Sequence, residues 1–137
     1  MLTYLASAYS HPDPEMREIR FREVCRCAAS LFKNGQMVFS PIAHSHPIAV
    51  YGNTETDFDN WRDYDFMMIK KCDKFAIVKV SGDWLASKGV INEFMHWRKL
   101  VGKSNPMAII YDANGKVLDL VELHQYIDVE FWKNKQL

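Results

Sequence analysis

No stretch of this chain approaches the roughly 20 consecutive apolar residues that a membrane-spanning helix needs. A helical membrane protein is therefore excluded. The opening run Met1 to Ala8 is too short for a secretory signal and lacks its basic flank, so the chain is expected to be cytoplasmic. Neither sign of charge is in excess: 17 Lys and Arg face 17 Asp and Glu, which argues against a polyanion such as nucleic acid as the main partner. Cysteine is sparse and odd in number, and Cys25, Cys27 and Cys72 each fall in a helical pattern where a small apolar side chain fits. They read as reduced thiols. Zinc would have to recruit Cys25-x-Cys27 and His44-x-His46. Neither spacing matches a common structural site, and a helix turns the two cysteines about 200° apart, so no metal is expected. The chain also lacks a Walker motif, a G-x-G-x-x-G fingerprint, an internal repeat and a low-complexity linker.

What is present is the composition of an ordinary globule, 137 residues with 48% hydrophobic and 25% charged side chains, enough for one domain with a sizeable core. Leu2 to Ala6 reads as a buried first strand. Ser7 to Pro12 is a small-residue loop, and Asp13, Pro14 and Glu15 write out a helix start as N-cap, first-turn proline and dipole-matched acid. That helix has Met16, Ile19, Val24, Cys27, Ala28 and Leu31 on its apolar face and ends at Asn34-Gly35. Arg17 and Arg20 then lie on its solvated side, with a phosphate contact by Arg17 as the functional alternative. Gln36 to Phe39 is a second strand closed by Ser40-Pro41. Ile42 to Thr56 reads as a long irregular loop, of the kind that is functional or mobile. A helix from Asp57 to Cys72, a strand from Lys74 to Val80 and a helix carrying Glu93 follow. Met107 to Tyr111 is a fourth strand, Asp112 to Gly115 a turn, Lys116 to Leu120 a short fifth strand and Val121 to Lys133 a last helix.

Alternating strands and helices predict an α/β open three-layer sandwich, flavodoxin-like or Rossmann-like, with a mainly parallel five-stranded sheet. Ligands of such sheets bind at the carboxyl ends of the strands. Three loops should converge there on one pocket: Ser7 to His11, Ser40 to His46 and Ser81 to Glu93.

Two acids sit where apolar residues belong. Glu93 falls within the stripe Val90, Phe94, Trp97, Leu100 and Val101, and Asp65 lies in the row of Phe58, Trp61, Met68 and Cys72. A carboxylate on a buried face is costly without a task or a partner. Paired carboxylates are what glycosyl transfer uses, one as nucleophile or charge stabiliser and one as proton carrier. The alternative for each is a helix-edge or structural hydrogen-bonding acid. Around the pocket, Ser7 and Ser10 could receive an anion in the loop before the first helix. Tyr4, Tyr9, Trp61 and Trp84 could sandwich a flat base or simply pack. His44 and His46, in Ser40-Pro41-Ile42-Ala43-His44-Ser45-His46-Pro47, could supply donors and acceptors to a heterocycle or a sugar hydroxyl, or be inert surface histidines.

The stretches Tyr4 to Ser10 and Ser40 to Pro47, with Asp65, Asp73 and Ser87-x-Gly89-Val90-x-x-Glu93, resemble the nucleoside 2-deoxyribosyltransferase superfamily, which includes nucleoside 5′-monophosphate N-glycosidases. The similarity covers about the first 110 residues and is nearest to a phage and bacterial branch of unknown function. It implies that Glu93 is the nucleophile, Asp65 the partner carboxylate that assists proton transfer to the departing base, and Tyr4 a tyrosine beside the nucleophile. The position six before the nucleophile is an acid in transferases and a serine in monophosphate hydrolases. Here it is Ser87, which with Gly89 would accept phosphate where an acid would repel it. The resemblance thus implies a small-molecule nucleoside or nucleotide substrate, no cofactor, and a homodimer or larger homo-oligomer. Base exchange between nucleosides, or nucleotide binding without turnover, are the competing readings. The family completes its pocket with residues of a neighbouring subunit near the C-terminal third, and no residue from Met107 onward matches that motif.

Overall fold

A computed structural model of the chain describes residues 1–101 and 106–135. Its elements run β1 (Leu2–Ser7), α1 (Pro14–Lys33), β2 (Met37–Phe39), α2 (Pro41–Gly52), α3 (Phe58–Lys70), β3 (Lys74–Val78), α4 (Lys88–Val101), β4 (Ala108–Tyr111), β5 (Val117–Val121), α5 (Leu123–Tyr126) and α6 (Val129–Lys133). The strands form one sheet in the order β2-β1-β3-β4-β5, parallel except for β5, which pairs antiparallel with β4. The chain steps one way along the sheet from β1 to β2 and the other way from β2 to β3 and on to β4. Right-handed crossovers therefore put α1 on one face and α3 with α4 on the other. The expected three-layer α/β sandwich is what forms, and the order reverses between β1 and β3, the point where such sheets bind ligands.

Local chemistry explains the element ends. Asp13 accepts from the Glu15 N–H at 2.9 Å with Pro14 in the first turn, as the sequence indicates. At the other end of α1, Gly35 N–H donates to Phe32 O and Gln36 N–H to Leu31 O, the two bonds of a Schellman motif. The inner strands are saturated with apolar residues: Phe75, Ala76, Ile77 and Val78 are all buried. A row of rings crosses three strands in register, Phe39, Tyr4 and Phe75, with Tyr4 and Phe75 stacked at 5.6 Å between centroids. Phe94 of α4 stacks on Phe75 at 5.2 Å, so this row faces the α3/α4 layer. Each such pair contributes about 1 kcal/mol beyond its buried area.

Three expectations are corrected. Ile42 to Thr56 is not a loop: α2 occupies Pro41–Gly52, begun by Ser40 Oγ accepting from Ala43 N–H at 3.0 Å and ended by Asn53 in the left-handed region. Ser40-Pro41 is the same N-cap and first-turn proline signature as Asp13-Pro14, and Pro47, inside the helix, masks it. The last helix is two short ones, because Asp128 stops the first and caps the second through the Glu130 N–H. Leu100, assigned to the inward stripe of α4, is 47% exposed, since the stripe that packs is Val90, Glu93, Phe94 and Trp97. Among the described residues no helix is long and apolar enough to cross a membrane.

Candidate functional site

At the carboxyl ends of β1 and β3 the chain leaves a cavity of about 560 Å³, within the size range of small-molecule sites. The loop Ser7 to His11 forms one side and Asp83 with Ala86 to Val90 another, and Glu93 and Asp65 reach in from α4 and α3. From the segment Ser40 to His46 only Ile42 and Ser45 line it. Trp61 lines it as expected, and the segment leading into α3, Thr56 to Asp59, adds a wall that the sequence did not indicate.

Glu93 and Asp65 are the chemical centre of this cavity. They are 4% and 6% exposed, so both inward placements hold. Burial drives the Glu93 carboxyl well above the usual range, and the nearby Asp65 charge drives it further. Burial alone lifts Asp65 to about 7. Two desolvated carboxyls that repel one another do not both ionise readily, so the pair retains a proton near neutral pH. Tyr4 completes the group: its ring is fixed in the aromatic row and its hydroxyl donates a hydrogen bond to Glu93 Oε2. Burial, then the two carboxyls, keep that phenol protonated. Tyr4 does not line the cavity, so it acts on Glu93 from behind.

The α4 end of the site is held by close packing. Ser87 Oγ accepts from Val90 N–H at 3.2 Å, which caps the helix and leaves the hydroxyl proton free toward the cavity it lines. Gly89 also lines the cavity, and a Cβ there would come within 3.3 Å of the Phe58 ring, so its lack of a side chain lets α3 and α4 close on each other. Ser7, Tyr9, Ser10 and Trp61 are all in the lining. Ser7 Oγ is buried there without a hydrogen-bond partner, an unsatisfied group that a ligand could complete.

The histidines are elsewhere. His46 is 6% exposed and does not line the cavity: its Nε2 meets Glu18 Oε2 at 2.7 Å, its Nδ1 meets the Tyr9 hydroxyl at 2.6 Å, and Phe21 stacks on it at 4.3 Å. Glu18 accepts only, so in the neutral ring Nε2 carries the proton and Nδ1 accepts from Tyr9. His46 thus positions Tyr9. His44 stacks on Tyr64 at 5.1 Å and bonds its hydroxyl at 2.9 Å, also outside the cavity. The expectation that either touches ligand came from a loop assignment; on a helix, alternate residues point to different sides. Trp84 does not line the cavity either and packs with Tyr126 and Trp132. Asp73 sits at the opposite end of the sheet, accepting from Leu2 N–H and donating its own N–H to Leu2 O. It fastens the start of β1.

Arg20 is among the cavity residues that were missed. Arg20, assigned to the solvated side of α1, is 5% exposed and lines the cavity, with Nε donating to Ser81 O at 2.9 Å and Nη1 to Ser10 O at 3.2 Å. Glu23 accepts from Ser81 N–H, so α1 grips the β3–α4 loop by both backbone groups of one residue. Burial lowers the Arg20 pKa, but an arginine stays charged. The signal was available: Arg20, Val24, Cys27 and Leu31 form one helical row. Tyr126 was missed too; its hydroxyl donates to Trp84 O at 3.3 Å and its ring lies beside Phe94.

No group of three His, Cys, Asp or Glu among the described residues could hold a metal ion. No curated protein matches the chain. A family model does, described as a domain of unknown function, DUF1937, and it covers residues 1–109, from β1 through the start of β4 and so every cavity residue named above. The chain belongs to the DUF1937 family.

Proposed function

We propose that the protein cleaves the N-glycosidic bond of a nucleoside 5′-monophosphate and releases the free base. The observation that carries this reading is the buried pair Asp65 and Glu93, backed by Tyr4, at the floor of a nucleotide-sized cavity. The resemblance of Ser87-x-Gly89-Val90-x-x-Glu93 to monophosphate N-glycosidases supports it. So does Arg20, which supplies a cation that the loop Ser7 to His11 lacks in its own sequence.

The steps follow from the proton that the pair retains. As the bond between the anomeric carbon and the base nitrogen stretches, Asp65 delivers or relays a proton to the base. Glu93, left as the carboxylate, faces the oxocarbenium-like carbon and stabilises or attacks it. A water then bonds to that carbon, displacing the Glu93 carboxylate where it has attacked, and gives one proton to the pair, which restores the starting state. Tyr4 steadies the Glu93 anion by its hydrogen bond. Ser7, Ser10, Ser87 and Arg20 hold the 5′ end, and Tyr9 and Trp61 shape the base pocket. No cofactor takes part in this scheme.

A homodimer or larger homo-oligomer in a cytoplasmic setting is part of the proposal. Tyr64 and Met67 on α3 and Met95 and Leu100 on α4 are exposed apolar side chains on the two helices that carry the acids, a surface suited to a second copy. Light scattering coupled to gel filtration tests this, and a monomer at all concentrations overturns it.

The activity itself is tested by incubating the protein with ribo- and deoxyribonucleosides and their 5′-monophosphates, with and without a second free base, and separating the products. Free base from monophosphates is the expected result. Transfer of sugar to the added base would replace hydrolysis by base exchange, and binding without product would make the protein a nucleotide-binding module.

A further inference from the structure

Beside the main cavity lies a second recess of about 330 Å³, lined by Ser10, His11, Pro12, Arg17, Thr56 and Asp57. Four of these, Ser10, His11, Thr56 and Asp57, also line the main cavity, so the two are one bent cleft with the carboxyl pair in its larger arm. The chemistry of the smaller arm is of the opposite kind.

Arg17 forms no ion pair with any acid among the described residues; its Nη1 donates to the His11 carbonyl. The Tyr9 phenol near this guanidinium is neutral and does not balance its charge. His11 Nδ1 accepts from Asp13 N–H at 3.0 Å, which leaves the ring proton on Nε2 as a donor. Ser10 and Thr56 add hydroxyls. The one acid of the arm, Asp57, accepts from Asn60 Nδ2 and makes no side-chain hydrogen bond that caps the 13-residue helix α3. A guanidinium without an ion-pair partner, an imidazole donor and hydroxyls in one recess describe a receptor for a tetrahedral oxyanion.

We infer that the Arg17 and His11 recess binds a second phosphoryl group, so that the ligand class of the cleft is a nucleoside carrying a pyrophosphate linkage at its 5′ position. The identity of the nucleoside part rests on the reading given under Proposed function; the anion site does not. The first phosphate lies at Ser7, Ser10, Ser87 and Arg20, and the second extends around the bend to Arg17.

Calorimetric titration with inorganic pyrophosphate, inorganic phosphate and a matched nucleoside mono- and diphosphate tests this, on the native chain and on Arg17→Gln and Arg17→Lys. Pyrophosphate should bind the native chain about tenfold or more tighter than phosphate, and the diphosphate tighter than the monophosphate by a similar factor, as one charge-assisted contact provides. Arg17→Gln should abolish both differences and leave the monophosphate affinity unchanged, and Arg17→Lys should retain part of them. Circular dichroism verifies that the variants fold. Equal binding of pyrophosphate and phosphate, or an Arg17→Gln chain that keeps the preference, overturns the inference. Equal loss of mono- and diphosphate binding in Arg17→Gln overturns it too, because the recess then holds the first phosphate. If nucleotides fail to bind while pyrophosphate does so through Arg17, the anion site stands and the N-glycosidase reading falls; cleavage of monophosphates without a pyrophosphate preference gives the reverse.

Discussion

On one side of the cleft, α3 and α4 bury Asp65 and Glu93 against an aromatic sheet face, with Tyr4 as a hydrogen-bonding partner and no ion pair among the described residues. On the other, α1 and α2 bury Arg20 and His46, and there polar atoms are matched: Arg20 to two carbonyls, His46 to Glu18 and Tyr9. Burying charge costs several kcal/mol unless partners compensate. The α1/α2 side meets that requirement within the protein, so it serves as scaffold even where Arg20 faces the cavity. The α3/α4 side leaves it open, and a site whose acids are raised by desolvation is poised for proton transfer.

If that contrast is right, substitutions on the two sides fail in different ways. The largest effect is Glu93→Gln, which keeps shape but removes the carboxylate: base release should drop about 10³-fold or more while the fold persists, measured by initial rates alongside a thermal melt. On the scaffold side, His46→Ala should instead cost about 3 kcal/mol of stability in urea unfolding, through two lost hydrogen bonds and a buried ring. A change in rate without a change in stability there would erase the distinction.

Asp65→Asn tests the open side through pH. In the folded chain Asp65 keeps its proton up to about 7, whereas an unfolded aspartate releases it near about 4. Folding thus takes up a proton between those values, and stability falls as pH rises through that window. Glu93, shifted in the same direction, adds to the trend. Asp65→Asn should flatten the pH dependence and gain about 2 kcal/mol at pH 8, with base release lost. Gly82→Ala is smaller. Gly82 has φ +81°, and a Cβ there would lie 2.7 Å from Arg20 Nη2, so about 1.5 kcal/mol should be lost with the loop displaced from Arg20. His44→Ala, away from the cleft on Tyr64, should change stability by about 0.5 kcal/mol and leave ligand binding alone.

The same contrast sets what could be read from the sequence. An acid in an apolar helical row is conspicuous, so Asp65 and Glu93 were legible, as were the small residues at the strand ends, Ser7, Ser10, Ser87 and Gly89. Satisfied polar groups leave no such mark. Arg20 looks like any surface arginine until its row with Val24 and Leu31 is drawn, and His46 needs Glu18 and Tyr9, distant in sequence, to explain its burial. The five strands and α1 were legible because caps and apolar runs are local. Helix α2 was not, because Pro47 and two histidines outweighed the Ser40-Pro41 start. The α3 wall of the cleft, Thr56 to Asp59, lies where no periodicity signals a ligand.

The most direct test of the account is base release from a 5′-monophosphate by the native chain and by Glu93→Gln at equal concentration and pH. Free base from the native chain and about 10³-fold less from the variant is the expected result. Equal release from both, or none from either with the nucleotide bound, would contradict it.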